Sequence, residues 1–177
     1  MAIQISQVQS RSELEQILSL QKKNLPNALT EKEMTKEGFV TAVHTLDLLD
    51  RMNRVYPHII AMEKDEVIGY ALCMHPNFAN EIDILKPMFE EINAILSTDQ
   101  KYMVMGQVCI DKAYRKMGIF KKLYEKMKEG IGANFNCIIT EVDALNTRSL
   151  NAHFSVGFKE LKTYNSNGRK WHLIALK

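Results

Sequence analysis

Tyr102-Met103-Val104-Met105-Gly106-Gln107-Val108-Cys109-Ile110, continued by Asp111-Lys112-Ala113-Tyr114-Arg115-Lys116-Met117-Gly118-Ile119-Phe120, is the stretch on which the fold turns. Tyr102–Ile110 is mostly apolar and reads as a strand in the middle of a sheet. A short polar turn then leads to a glycine, beyond which Phe120, Leu123, Tyr124, Met127 and Ile131 recur at helical spacing. Such a junction exposes unpaired backbone N–H groups at the positive end of a helix. A pyrophosphate can bind there, with Gly118 permitting close approach and Arg115 and Lys116 adding charge; Lys121 and Lys122 extend the basic patch. The same residues also fit a plain turn and a solvated helix face. Neither a GxxxxGK[ST] phosphate loop nor an intact GxGxxG fingerprint occurs in the chain.

Downstream, Gly130 and Gly132 read as helix stops, residues 137–142 as a strand, and 149–155 as a short helix. Two final strands, 158–164 and 171–176, are joined through Asn165-Ser166-Asn167-Gly168, strong turn chemistry. Upstream, Ile3, Ile5 and Val8 suggest a first strand, and a helix follows from Ser12 with Leu14, Ile17 and Leu18 on one face. Thr30 with Glu33 predicts a capping box, after which Phe39, Val43, Leu46 and Leu49 carry helical periodicity towards Tyr56 and Pro57. Residues 58–62 and 67–74 read as strands around Lys64-Asp65-Glu66, and Leu85, Met88, Phe89, Ile92, Ile95 and Leu96 as a core-facing helix. This order predicts an α/β (α+β) fold, one mixed sheet covered by helices.

With 177 residues and no internal linker, the chain is expected to be a single domain over 1–177. A net charge of +2 gives no reason to expect nucleic acid or an anionic membrane as partner. Cys73, Cys109 and Cys137 sit in apolar, strand-like sequence without a Cys-x-x-Cys pair, which predicts reduced buried thiols in a cytoplasmic protein. The N-terminus lacks an apolar signal-peptide core and no apolar run is long enough to span a bilayer. His44, His58, His75 and His172 lack metal-ligand spacing, so no metal is expected.

Tyr114-Arg115-Lys116-Met117-Gly118-Ile119-Phe120 resembles the coenzyme A-binding motif [Q/R]-x-x-G-x-[G/A] of the GNAT acetyltransferases. Asn146-Thr147-Arg148-Ser149, followed by His153 and Val156-Gly157-Phe158, resembles that family's second motif, in which an asparagine leads a helix ending in a tyrosine and a Gly-Phe pair. The resemblance implies a GNAT-like acyl-CoA N-acyltransferase fold, with a mostly antiparallel sheet whose parallel central strands splay to admit pantetheine. It implies acetyl-CoA as cosubstrate and acetyl transfer to an amine. Val108, Cys109 and Ile110 would pair with pantetheine, and the amides of Arg115, Lys116, Met117, Gly118, Ile119 and Phe120 would hold the pyrophosphate. Asn146 and Ser149 would contact the coenzyme from the other side. Phe120 departs from the motif, standing where a second small residue is usual, and it also heads the helix's apolar stripe.

Acetyl transfer needs a neutral amine, a stabilised oxyanion and, at best, a protonated leaving thiolate. A backbone N–H near Val108 or Cys109 is the expected oxyanion donor. Glu141 matches a glutamate proposed as base in the branch resembling ribosomal-protein N-terminal acetyltransferases; an ordinary solvent-facing carboxylate, Asp143 or a water chain are the alternatives. His153 takes the register where the family often carries the tyrosine that protonates the thiolate, or else it only hydrogen-bonds locally. Cys109, with no adjacent histidine, reads as an inert apolar thiol. The acceptor, a small-molecule or peptide amine, is expected to lie against residues 25–39, 77–100 and the terminal hairpin, and a homodimer is a family-level expectation. A non-catalytic acyl-CoA sensor, or an acyltransferase using another acyl-CoA or a hydroxyl acceptor, fits the same motifs.

Overall fold

Two capping boxes set the first helices. Ser10 and Glu13 exchange hydrogen bonds at the start of α1 (Arg11–Lys22), and Thr30 and Glu33 do the same for α2 (Glu31–Glu37). Gly38, at φ +77°, ends α2 in a conformation that L side chains resist. The continuous helical periodicity expected from Phe39 onwards is therefore interrupted: the chain runs without regular structure to Thr45, which caps α3 (Leu46–Val55). Val43 is 68% exposed, so its apparent place on a helical stripe is coincidental.

The computed structural model describes residues 2–177. Strands β1 (Ile3–Gln7), β2 (Ile59–Glu63), β3 (Glu66–Met74), β4 (Tyr102–Ile110), β5 (Cys137–Asp143), β6 (Lys159–Ser166) and β7 (Arg169–Leu176) form one sheet in the order β1-β2-β3-β4-β5-β7-β6. Every neighbouring pair is antiparallel except β4 with β5. The remaining helices are α4 (Lys86–Ile95), α5 (Ile119–Ile131) and α6 (Thr147–Ser155). Side-chain alternation divides the core: Val104 and Ile139 pack with Met88, Phe89 and Ile92 of α4, whereas Met103 and Ile138 pack with Leu123, Tyr124 and Met127 of α5. Helices thus cover both faces of a mixed sheet, the architecture that the element order predicts.

Glycines do different work here. Gly132, not Gly130, ends α5; Gly130 lies inside the helix, where an added Cβ would stand 3.1 Å from the Gln7 amide of β1. In the terminal hairpin, Asn167 and Gly168 both take positive φ, the two-residue turn that matches the twist of its strands.

The feature that positions the site is a split in the middle of the sheet. β4 and β5 pair only at Tyr102–Cys137, Met103–Ile138 and Val104–Ile139. At the next step the Thr140 hydroxyl donates to the Met105 carbonyl, 2.9 Å away, and the strands then part company. β5 continues along β7 as far as Asp143, while β4 continues along β3 to Ile110. A bulge accompanies the split: Ala71 faces Val108 and Cys73 faces Met105, so β4 carries one extra residue in this interval.

Candidate active site

The floor of the split opens into a cleft of about 350 Å³ at the end of β4. Val108, Cys109 and Ile110 line one wall, where among the described residues their only strand neighbour is β3. The chain then passes through Lys116 at φ 66° and Gly118 at φ 75° before entering α5. Gly118 is the N-cap of α5 and no side chain caps this helix, so the first N–H groups of the helix are free for an anion. A Cβ at Gly118 would meet nothing within 4 Å; the glycine is needed for its positive φ and for an unobstructed cradle, not for packing. Ile119 is buried in the core, and Phe120 both borders the cleft and packs edge-on against Tyr124 and His153.

Arg115 departs from expectation. Its guanidinium is not a free charge over the cleft: it donates to the Ile110 carbonyl at 3.0 Å, to the Glu37 carbonyl at 2.9 Å and carboxylate at 2.8 Å, and to the Asn24 amide oxygen at 3.0 Å. It clamps the turn after α1 and the end of α2 to the end of β4, and its hydrogen bond, with its charge, holds the Glu37 carboxyl below the usual range. Lys116 and Arg148 are the other cations bordering the cleft, though Arg148 also donates to the Lys36 carbonyl at 3.2 Å.

The clamp serves a strap that motif reading missed. Residues 37–40 cross the mouth of the split and are tied on both sides. Val40 N–H donates to the Asn24 carbonyl at 3.0 Å on the β4 side. On the β5 side, Asn146 Nδ2 donates to the Phe39 carbonyl at 3.0 Å, while its Oδ1 caps α6 through Ser149 N–H at 3.3 Å. The fit is close: a Cβ on Gly38 would lie 3.0 Å from Asn146 Oδ1. Asn146 borders the cleft, and its amide holds the strap. Gly38 following a capped helix was the only local signal of this element.

Beyond the strap a narrower cavity, about 70 Å³, runs between the parted strands from residues 105–108 to 140–143, with Leu85, Met88 and Trp171 as an apolar wall. Glu141 borders it. Burial pushes the Glu141 carboxyl up to about 7; a hydrogen bond from the Tyr164 hydroxyl opposes this shift and the nearby charge of Asp143 adds to it. Asp143 is committed elsewhere, to Arg169 at 2.6 Å and Leu145 N–H at 2.9 Å. Glu141 is thereby poised to titrate near neutrality.

The β4 bulge turns Gln107 towards a buried polar group. Its Oε1 accepts from Tyr70 and Gln21, each at 2.7 Å, and its Nε2 donates to the Ala42 carbonyl at 2.8 Å. Gln21 also donates to His44 Nδ1 at 2.8 Å, and burial pushes His44 down to about 4, so it is neutral. His58 is a neutral strut too, accepting from Cys73 N–H and bonding to the Leu49 carbonyl, each at 3.1 Å.

His153 borders the narrow cavity but is poorly placed to be an acid. Nδ1 lies 2.7 Å from the Ser149 carbonyl, which makes it the protonated nitrogen, and Nε2 accepts from the Tyr124 hydroxyl at 2.7 Å. Phe120, Tyr124 and Phe158 surround the ring edge-on, and burial pushes its pKa down to about 4. Cys109 is buried and pushed up to about 12 by that burial, so it offers no thiolate. Among the described residues no group of three or more His, Cys, Asp or Glu is placed to hold a metal ion, and no helix is long and apolar enough to cross a membrane.

Solved structures share this architecture over nearly the whole chain. The NatC complex bound to Gag peptide and CoA matches with a TM-score of 0.66 at 16% identity, covering 99% of this chain and 98% of that one. The ribosomal-protein-S18-alanine N-acetyltransferase of Escherichia coli gives 0.62 at 14%, covering 99% and 93%. The yncA structure from Salmonella typhimurium, with its cofactor acetyl-CoA, gives 0.65 at 14%, covering 100% and 94%. At these identities the likeness is one of fold. Among curated proteins none matches the sequence. The sequence profile of the acetyltransferase (GNAT) family matches residues 14–158, which include the split strands, the glycine cradle and Asn146; the chain belongs to that family.

Proposed function

We propose that this chain takes the acetyl group of acetyl-CoA and passes it directly to a primary amine. One observation carries the reading: the split between β4 and β5 joins a cleft with a free strand edge to a carboxylate-bearing cavity, so that donor and acceptor can meet at the opening. The coenzyme fits what the cleft offers. Uncapped N–H groups of α5 and the exposed Lys116 suit a pyrophosphate, and the free edge of Val108, Cys109 and Ile110 suits the amides of a pantetheine arm. When bound, the thioester supplies an activated acetyl group.

The chain's own residues supply the remaining demands. A backbone N–H of the bulged segment, at Val108 or Cys109, donates a hydrogen bond to the charge that develops on the carbonyl oxygen. Glu141 takes the proton of the attacking amine, and its raised pKa makes it a better base than an ordinary glutamate while leaving it ionised above about 7. Because the base must be ionised, kcat/KM should rise with pH through that value. Asp143, already paired to Arg169, is the weaker candidate.

The NatC and S18-alanine neighbours are named for peptide and protein substrates. That supports an amine at a peptide N-terminus, or a small amine of similar width, with an apolar group set against Leu85, Met88 and Trp171. The test is thiol release from acetyl-CoA across primary amines and short peptides. Amine-dependent release supports the enzyme; coenzyme binding without release from any acceptor would overturn it in favour of a coenzyme-binding sensor.

A further inference from the structure

Phe39, Val40, Val108, Asn146 and Ser149 border both cavities, so they form the passage through which an acyl arm must thread. Only two of these carry a polar side chain, and Asn146 is committed at both ends, to Phe39 and to Ser149 N–H. Ser149 differs. Its N–H serves the cap and its carbonyl receives the His153 Nδ1 proton at 2.7 Å, but its hydroxyl has only a long 3.4 Å approach to that same nitrogen. With the Nδ1 hydrogen directed at the nearer carbonyl, Ser149 keeps an O–H donor free at the passage.

We propose that Ser149 Oγ donates the hydrogen bond that stabilises the coenzyme sulfur as the acetyl group leaves it, the role that motif register suggested for His153. This rests on the reading of the chain as a thioester-dependent acyltransferase. As the carbon–sulfur bond breaks, its electron pair goes to sulfur. Ser149 keeps its own proton and shares it with the anion; the proton lost by the amine nitrogen goes to Glu141, and the thiolate is protonated on release into water. A serine hydroxyl suits this task because a hydrogen bond to an anion is stronger than one between neutral groups, and no ionisable acid is required.

The test reads the bound thiol directly. Coenzyme A is bound to the protein and its thiolate absorbance is titrated with pH, alongside turnover with the best acceptor. Ser149→Ala removes Oγ with its long approach to His153 Nδ1, while the cap and the 2.7 Å bond to His153 use the backbone. It should lower the thiolate fraction of the complex about 5–10-fold at a fixed pH below the thiol pKa and depress kcat by a similar factor. Ser149→Thr, which retains the hydroxyl, should recover part of both. If the Ser149→Ala complex titrates like the parent, the proposal is wrong. It also falls if His153→Phe, rather than Ser149→Ala, raises the thiol pKa. Absence of turnover in the parent protein, by contrast, would remove the acetyltransferase reading itself.

Discussion

The two cavities that meet at the split are built from different materials. The wide cleft takes its polar groups largely from main chain: a free strand edge, two residues of positive φ and the uncapped start of α5. The narrow cavity takes its chemistry from side chains on β5, β6 and β7, with Glu141 held by Tyr164 and Asp143 held by Arg169. A main-chain site depends on conformation, so it tolerates most substitutions except those that change φ or block access. A side-chain site depends on the identity of single atoms, so an isosteric change can abolish it.

The sharpest test of this contrast is Glu141→Gln, which preserves shape and removes basicity. Turnover should fall about 10²-fold near neutral pH, with little change in acetyl-CoA affinity. Loss of coenzyme affinity in parallel would mean that the two cavities are not separable. The same variant has a thermodynamic signature. A carboxyl whose folded pKa is raised binds its proton more tightly in the folded state, so folding stability declines as pH rises from about 4.5, its ordinary value, to about 7. Glu141→Gln lacks that dependence, and its melting temperature relative to the parent should therefore climb between those pH values.

Arg115→Ala should damage the main-chain side through its scaffold. It removes a clamp of four hydrogen bonds, two of them to Glu37, which carries the strap. A loss of roughly 2–4 kcal/mol in stability by denaturant titration is expected, because Glu37 and the Ile110 carbonyl lose their partner. If stability is unchanged while acetyl-CoA affinity falls, Arg115 is a phosphate ligand after all. Gly118→Val, in contrast, forces a β-branched residue into positive φ and points it into the cradle. About a tenfold or greater loss of acetyl-CoA affinity by calorimetry is expected, with turnover at saturating coenzyme largely kept. Affinity at the parent level would remove the phosphate site from this loop.

The smallest expected effect is the most specific. Tyr164→Phe deletes the hydrogen bond that opposes the upward shift of Glu141. The acidic limb of kcat/KM should move to higher pH by about half a unit to one unit, with the plateau nearly intact. A limb that stays in place would show that the titrating group is not Glu141.

How far the chain could be read without its fold follows the same division. The strand–turn–helix junction at residues 102–120 was legible because apolar runs, a glycine and helical periodicity are local properties of consecutive residues. Thr30–Glu33 and Asn167-Gly168 were legible for the same reason, since caps and tight turns close within a few residues. Misreadings arose where a pattern was local but its outcome was not. Phe39 and Val43 fit a helical period, yet Gly38 had already ended α2. Arg115 sits in a coenzyme motif, yet its partners lie 78 and 91 residues earlier, on the strap and in the turn after α1.

His153 shows the limit most clearly. Its register placed it beside the leaving group, but burial among aromatic rings keeps it neutral and the Tyr124 hydroxyl of another helix occupies its Nε2, neither of which spacing reveals. Tyr164 had no motif to announce it and is brought to Glu141 only by β7, which pairs with both β5 and β6. By itself, the sequence determined the order of elements, the split-strand family and the glycine cradle, because backbone conformation answers to neighbouring residues. Which carboxylate titrates, which hydroxyl is free and which guanidinium is occupied were decided by tertiary structure alone. Those properties depend on burial and on partners that only the folded chain brings within 3 Å.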